Sequence, residues 1–256
     1  MALPNPDSSE NGTGTVDYVL SGHPLRRLTS PLLLRARRSF FEQFMAVCRP
    51  TASESILDVG VTPDSTLRDS NYLEQWYPYT DRITATSIED ASDLERLFPG
   101  LRFVRTGTDR LPFGDGEFDI AFSSAVLEHV GDLGRQAHFV RELTRVSKRF
   151  FLSTPNRWFP LELHTYLPFV HWLPQSTGQR IMRALGQEQW ATTDNLNLLS
   201  ASKLRTLFPE EIEVSILRHR VLGLTSSLIA FGRSRGSATT AWGETARQPE
   251  SDGVTD

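Results

Sequence analysis

The residues of this chain that could do chemistry fall in five short stretches. Asp58-Val59-Gly60 ends the apolar run "ILDVG". The glycine admits close approach of a ligand to the backbone, and the N–H groups after it can face a carboxylate or hydroxyl; a tight turn with no ligand has the same residues. "SIED" follows a second apolar run. Glu89 is placed to accept hydrogen bonds from a ribose diol, and Asp90 suits the start of the helix "ASDLERLF". "TGTDRLPFGDGEFD" carries Asp109, which can reach an amino group of a base or stay a solvated turn residue. "SSAVLEHV" offers Ser123 and Ser124, small residues at a strand end, and then His129. A histidine there can act as a base at neutral pH or serve as a structural residue. Last comes "STPNRWFPLELHTYLPFVHWLP", with Arg157, Glu162, His164 and His171. His164 and His171 are seven apart with no third ligand in evident spacing, so no metal site is expected.

The elements that must hold these residues alternate along the chain. "SPLLLRARRSFFEQFMAVCRP" reads as a helix opening at Ser-Pro, with Leu33, Phe40, Phe41, Phe44 and Val47 at helical spacing. "ESILDVG", "DRITATSIED", "LRFVRTG", "EFDIAFSS" and "RFFLSTPN" read as strands. "SNYLEQWYP", "ASDLERLFPG", "DLGRQAHFVRELTRVSK" and "SASKLRTLF" read as helices between or after them. Strands alternating with helices of roughly ten residues make βαβ units, hence an α/β, doubly wound fold around a parallel sheet. "EIEVSILRHR" and "SSLIAFGR" are close enough to pair as an antiparallel edge. In such sheets the ligand lies beyond the carboxyl ends of the strands, where all five stretches fall.

The segment after the fifth strand is too broken by proline for one long helix, and suits a substrate lid over the strand ends. Its aromatic residues, with Arg35, Arg37 and Arg38 of the first helix, also suggest peripheral membrane contact. Residues 1–20 and 234–256 are small and polar and are expected to be disordered tails, leaving a domain over 21–233 with a cap insertion near 156–198.

Whole-chain properties exclude several classes. Across 256 residues the net charge is −4, so no global basic field favours nucleic acid. One cysteine, Cys48, precludes an intrachain disulfide framework and suits a reducing, cytoplasmic compartment. The single glycine after "LDV", in place of G-x-G-x-x-G, argues against pyrophosphate and so against NAD or nucleotide-sugar chemistry.

Taken together, "ILDVG", "SIED", "LPFGDGEFDIAFSSAVLEHV" and "FFLSTPN" resemble the class I S-adenosylmethionine-dependent methyltransferases of the small-molecule "type 11" kind, over about residues 30–235. The third stretch is the most specific. The cap also resembles that of a bacterial subgroup associated with glycan or lipid modification.

The resemblance implies a Rossmann-like, mostly parallel seven-stranded sheet with an antiparallel edge strand, and S-adenosylmethionine as cofactor. It implies a methyl acceptor that is a small molecule, a glycan or lipid-linked, methylated at a hydroxyl. Asp58 and Gly60 then border the methionine moiety, with Thr62, Asp64 and Ser65 offering cofactor-binding side chains in place of backbone N–H contacts. Glu89, or Ser87 in a shifted register, takes the ribose. Asp109 stands near adenine, displaced by two from the position the family fills with an acid, here Gly107. Ser123 and Ser124 lie beneath the sulfonium. His129, Glu162 and His164 are the candidate bases. The glycine-poor loop and Gly107 are departures, and they leave open a second function, a non-catalytic binding protein on the same fold.

Overall fold

The computed structural model describes residues 26–64 and 70–234, with side chains from residue 30 onward. The expected tails therefore lie outside the described residues, apart from Ser234, which ends the last strand; so does Ser65 of the first loop.

Five strands follow the expected order: β1 (Ile56–Val59), β2 (Ile83–Ser87), β3 (Arg102–Arg105), β4 (Phe118–Ser124) and β5 (Ser147–Pro155). They pair in parallel as 3-2-1-4-5. The long strands β6 (Ile212–Val221) and β7 (Leu224–Ser234) complete a seven-stranded sheet, order 3-2-1-4-5-7-6. Strand β7 runs antiparallel to both β5 and β6, so the antiparallel edge is a hairpin inserted with β7 inward.

Both faces of the sheet are covered, which explains strands that read as continuous apolar runs. Side chains alternate by one residue between two cores. Ile56 and Phe151 join the helix α1 (Arg26–Cys48) through Phe40, Phe41, Phe44 and Cys48. Phe44 meets Phe122 and Phe151 edge-on at 5.2 and 5.6 Å, while those two rings stack at 5.4 Å. Leu57, Phe150 and Leu152 face the opposite core with α4 (Leu133–Arg145) and α6 (Ala201–Thr206). Burial holds the Cys48 thiol up at about 12, so it is an inert core group.

Two local expectations need correction. Helix α1 does not open at Ser30-Pro31; it starts at Arg26 and carries Pro31 inside. The proline lacks an N–H, so the turn before it makes one bond fewer. Nor is Asp90 the N-cap of α3 (Asp93–Leu97), whose N-cap position is Ser92. Asp90 instead accepts a bond from the Ser92 N–H, turning the chain into the helix one step earlier.

Between β5 and α6 the chain builds a cap from the helix α5 (Gln175–Ala184) and several single turns. Met182, Trp190, Ala191, Leu196 and Leu198 give it a small core of its own. Asn197 ties it to the sheet: its N–H donates to the Glu128 carbonyl and its side chain to the Gly131 carbonyl.

Candidate active site

The carboxyl ends of β1, β2, β4 and β5 open into one cavity of about 1050 Å³, roofed by the cap. That is at the upper end of the roughly 300–1,000 Å³ usual for ligand pockets. It gives room for a nucleoside-sized molecule and a second reactant side by side.

The first wall is the β1 loop. Gly60 has φ +101°, and a Cβ there would lie 2.3 Å from Val126 Cγ2. The backbone of the loop thus passes against the β4 turn in a way only glycine permits. The loop is braced by a two-way clasp: the Thr62 N–H donates to Asn71 Oδ1, and Asn71 Nδ2 donates to the Thr62 carbonyl. The Thr62 hydroxyl accepts from the Asp64 N–H. The polar side chains that stand in for glycines therefore hold the loop's own shape. Asn71 and Ala125 both sit at positive φ, 46° and 57°, so the loop after β1 and the turn after β4 store strain beside the cavity.

Asp58 is buried and faces Glu74, a fully buried residue of the helix α2 (Tyr72–Trp76). Burial first, then the neighbouring Glu74, raises the Asp58 carboxyl well above the usual range; burial raises Glu74 as well. Two carboxyls in one dry site cannot both ionise cheaply, so protonation is held on into the range where both would otherwise be charged. A folded pKa above the unfolded value gives stability that is complete below about pH 4 and lost as pH rises through the raised range. Glu74→Gln is expected to melt higher than wild type by about 2–4 °C at pH 8, for roughly 1 kcal/mol relieved. The gap should close toward pH 4 in a melting series. A gap that persists unchanged at pH 4 would contradict the raised carboxyl pair.

The second wall carries Ser87, Glu89, Thr106, Gly107 and Asp109, all on the cavity. Ser87 is buried and its hydroxyl accepts from the Glu89 N–H, which fixes the acidic tip. Asp109 is exposed at the rim; its carbonyl bonds His138. Arg145, at the end of α4, donates to the Leu111 and Phe113 carbonyls, to Asp115 and twice to Glu142. Glu142 in turn accepts from the Leu111 N–H. This network pins the "LPF" segment, whose Leu111 lines the cavity.

The floor differs from expectation. Ser123 is buried, donates to the Val59 carbonyl and does not line the cavity. Alternation along β4 turns it away and puts Ser124 on the floor instead. The Ser124 hydroxyl accepts from Arg37 and from the Tyr72 hydroxyl, and shares a bond with Ser153. Arg37 and Tyr72 were not foreseen at the site. The trio Arg35, Arg37 and Arg38 does not form one basic face: Arg37 lines the cavity, while Arg38 pairs with Glu42. The cap's aromatic side does stay exposed at Trp158, Phe169 and Trp172.

The far wall brings β4 and the cap together. A single turn, Leu127–His129, puts Glu128 and His129 on the cavity, and the cap adds His164. His129 Nδ1 lies 2.7 Å from the Asn195 carbonyl, so Nδ1 carries the proton. Burial, then His164, pushes the imidazole down to about 3. His129 stays neutral and is a poor proton acceptor, so the base role expected for it is not supported. Glu162 is buried and off the cavity. Its carboxylate accepts from the His164 N–H, His164 Nδ1 and the Thr165 N–H at 3.0, 2.6 and 2.6 Å. Burial alone would raise its pKa, but His164 and these bonds hold it at about 2. Glu162 thus positions His164 and does not meet a substrate. Burial opposes charge on His164, yet Glu162 and Glu128 raise its pKa. His171 is turned elsewhere, with Nε2 at the Phe159 carbonyl.

The strand order and the cavity at the strand ends are those of a Rossmann-like methyltransferase fold, and a family-model match over part of the chain supports a class I S-adenosylmethionine-dependent methyltransferase with S-adenosylmethionine as its cofactor. Residues 58–149 match the family model described as a methyltransferase domain. The structure is similar to that of an S-adenosylmethionine-dependent methyltransferase from Mesorhizobium loti, at 14% identity and TM-score 0.52, covering 78% of this chain and 96% of that one. The PH0226 protein from Pyrococcus horikoshii has 13% identity and TM-score 0.52 over 78% and 90% of the two chains. The YcgJ protein of a Bacillus has 15% identity and TM-score 0.50 over 78% and 100%. At these identities the likeness is one of fold. No curated protein matches the chain.

The residues present fit the cofactor. Gly60 lets the β1 loop lie close against Val126, and the loop and the acidic tip at Glu89 line the same cavity, which has room for a nucleoside. Among the described residues no helix is long and apolar enough to cross a membrane.

Proposed function

We propose that the protein methylates a hydroxyl of a small-molecule, glycan or lipid-linked acceptor. The observation that carries this reading is the single cavity joining the Gly60 loop to the Glu128–His129–His164 wall under the cap. When bound, S-adenosylmethionine supplies a methyl already activated by its sulfonium, so the protein's work is alignment and exclusion of water.

In this reading Asp58, Gly60 and Thr62 shape the methionine end, and Glu89 and Asp109 hold the nucleoside. Ser124 forms the floor with Arg37 and Tyr72. Phe159, Leu161, Leu163 and Tyr166 of the cap line the acceptor side and favour an acceptor with an apolar body. His164 faces the acceptor as the remaining candidate base.

The test is incubation with methyl-labelled S-adenosylmethionine and a panel of phenols, sugars and lipid-linked sugars. Label is expected in a linkage stable to mild alkali, as a methyl ether is. Label in a base-labile ester or on nitrogen would overturn the hydroxyl assignment. The non-catalytic alternative draws on one observation, that Asn71 already occupies the Thr62 N–H. Cofactor binding by calorimetry with no turnover on any acceptor would favour it; no binding at millimolar cofactor would defeat both.

A further inference from the structure

We propose that Glu128, His129 and His164 form a binding site for a divalent transition-metal cation on the acceptor side of the cavity. This deepens the reading of the cavity as a methyl-transfer site and rests on it for its function.

Three observations converge. The ligand atoms of the three side chains all lie within 4.8 Å of one another, and Glu128 Oε1 is 3.9 Å from His129 Nε2. A tetrahedral cation about 2.0–2.2 Å from each would hold the ligand atoms roughly 3.4 Å apart, so the triangle must close by up to about 1.4 Å on binding. Second, Glu128 has its other oxygen bonded to the Thr154 hydroxyl at 3.0 Å, yet Oε1 accepts no hydrogen bond although the side chain is 0% exposed. A buried carboxylate oxygen left so is costly, and a cation removes that cost. Third, both imidazoles are held as metal-bound histidines usually are. His129 gives Nδ1–H to the Asn195 carbonyl and His164 gives Nδ1–H to Glu162, which leaves Nε2 of each as the ligating nitrogen.

Two imidazoles and one carboxylate suit zinc, iron(II), manganese or cobalt better than calcium or magnesium. With three protein ligands, positions stay open for an acceptor oxygen. A hydroxyl bound there is acidified and releases its proton to solvent, leaving an alkoxide held by the cation. This supplies the activation that His129 cannot, and takes the place of the base role of His164, whose Nε2 the cation would occupy. Because Glu128 and His129 come from the β4 turn and His164 from the cap, the cation would also fasten the cap to the sheet.

The test uses the full chain, stripped with a chelator and titrated with cobalt(II). One equivalent is expected, with visible d–d bands of a low-symmetry site, and a rise in Tm of about 5–10 °C at cation 100-fold above Kd. Glu128→Gln and His164→Gln should each weaken binding about 100-fold, and Glu162→Gln about 10-fold through its hold on His164. Wild-type uptake well below one equivalent, or unchanged affinity in both Glu128→Gln and His164→Gln, would overturn the proposal; the wild-type titration decides even where a variant fails to fold. Calorimetry with S-adenosylmethionine in the presence of chelator separates the readings. Cofactor binding without cation uptake sinks the metal site alone, and cation uptake without cofactor binding sinks the methyl-transfer reading alone.

Discussion

Gly60→Ala is expected to weaken S-adenosylmethionine binding about 100-fold, or roughly 2.7 kcal/mol, while the protein stays folded. The new Cβ would lie 2.3 Å from Val126 Cγ2 and 2.9 Å from Cγ1, on a backbone at φ +101°. Neither side can give way cheaply. Val126 belongs to the strained turn behind Ala125, and the loop is held from the other side by Asn71. The loop must therefore shift, and it shifts along the cavity wall that the proposed function gives to the cofactor's methionine end. The lost affinity is local because the sheet below is fixed by β1 pairing with both β2 and β4. Calorimetry reads the affinity and a thermal melt reads the fold. Combining Gly60→Ala with Val126→Ala removes the two closest contacts but leaves one at 3.2 Å to the Val126 Cβ, together with the backbone strain, so it should recover part of the affinity. Equal affinity in Gly60→Ala and wild type would remove Gly60 from the cofactor wall.

Arg145→Met should lower Tm by about 5–10 °C, for a loss of roughly 2–3 kcal/mol at 2–4 °C per kcal/mol. Arg145 is 18% exposed and its partner Glu142 is 12% exposed, so the pair is mostly dry. Removing the guanidinium strands the Glu142 carboxylate, and breaking a buried pair costs more than making it gains. The partial exposure keeps the figure below that of a fully buried pair. Two carbonyls of the "LPF" segment lose their donor at the same time. Leu111 of that segment lines the cavity on the side the proposed function gives to the nucleoside, so cofactor affinity should fall about tenfold along with stability. A lowered Tm with unchanged affinity would show that the segment is held well enough by Phe113 packed on Phe118 at 5.0 Å.

The core of this molecule is legible in its residues because burial on both sheet faces demands apolar runs of a particular length. "ILDV", "FDIAFSS" and "KRFFLSTP" are buried strands for that reason, and the helices between them show it in their spacing. The same logic fails where a proline or a capping side chain has two local uses. Pro31 reads as a helix start and sits inside a helix, and Asp90 reads as a cap and makes a turn. Ser123 and Ser124 are adjacent and of one type, and only strand alternation separates a core serine from a cavity serine.

By itself, then, the sequence determined the doubly wound sheet and the edge hairpin, because these follow from patterns repeated over many residues, while the methyltransferase class rested on the resemblance of a few short motifs. Only the tertiary structure decided how the far wall works. Glu128 and His129 are 35 or more positions from His164, and their meeting depends on a cap whose path no local pattern encodes. The same packing takes His129 largely out of water and turns an expected base into a weakly basic imidazole, while it hands Glu162 to His164 as a support. Burial sets what an ionisable side chain can do, and burial is a property of the assembled fold.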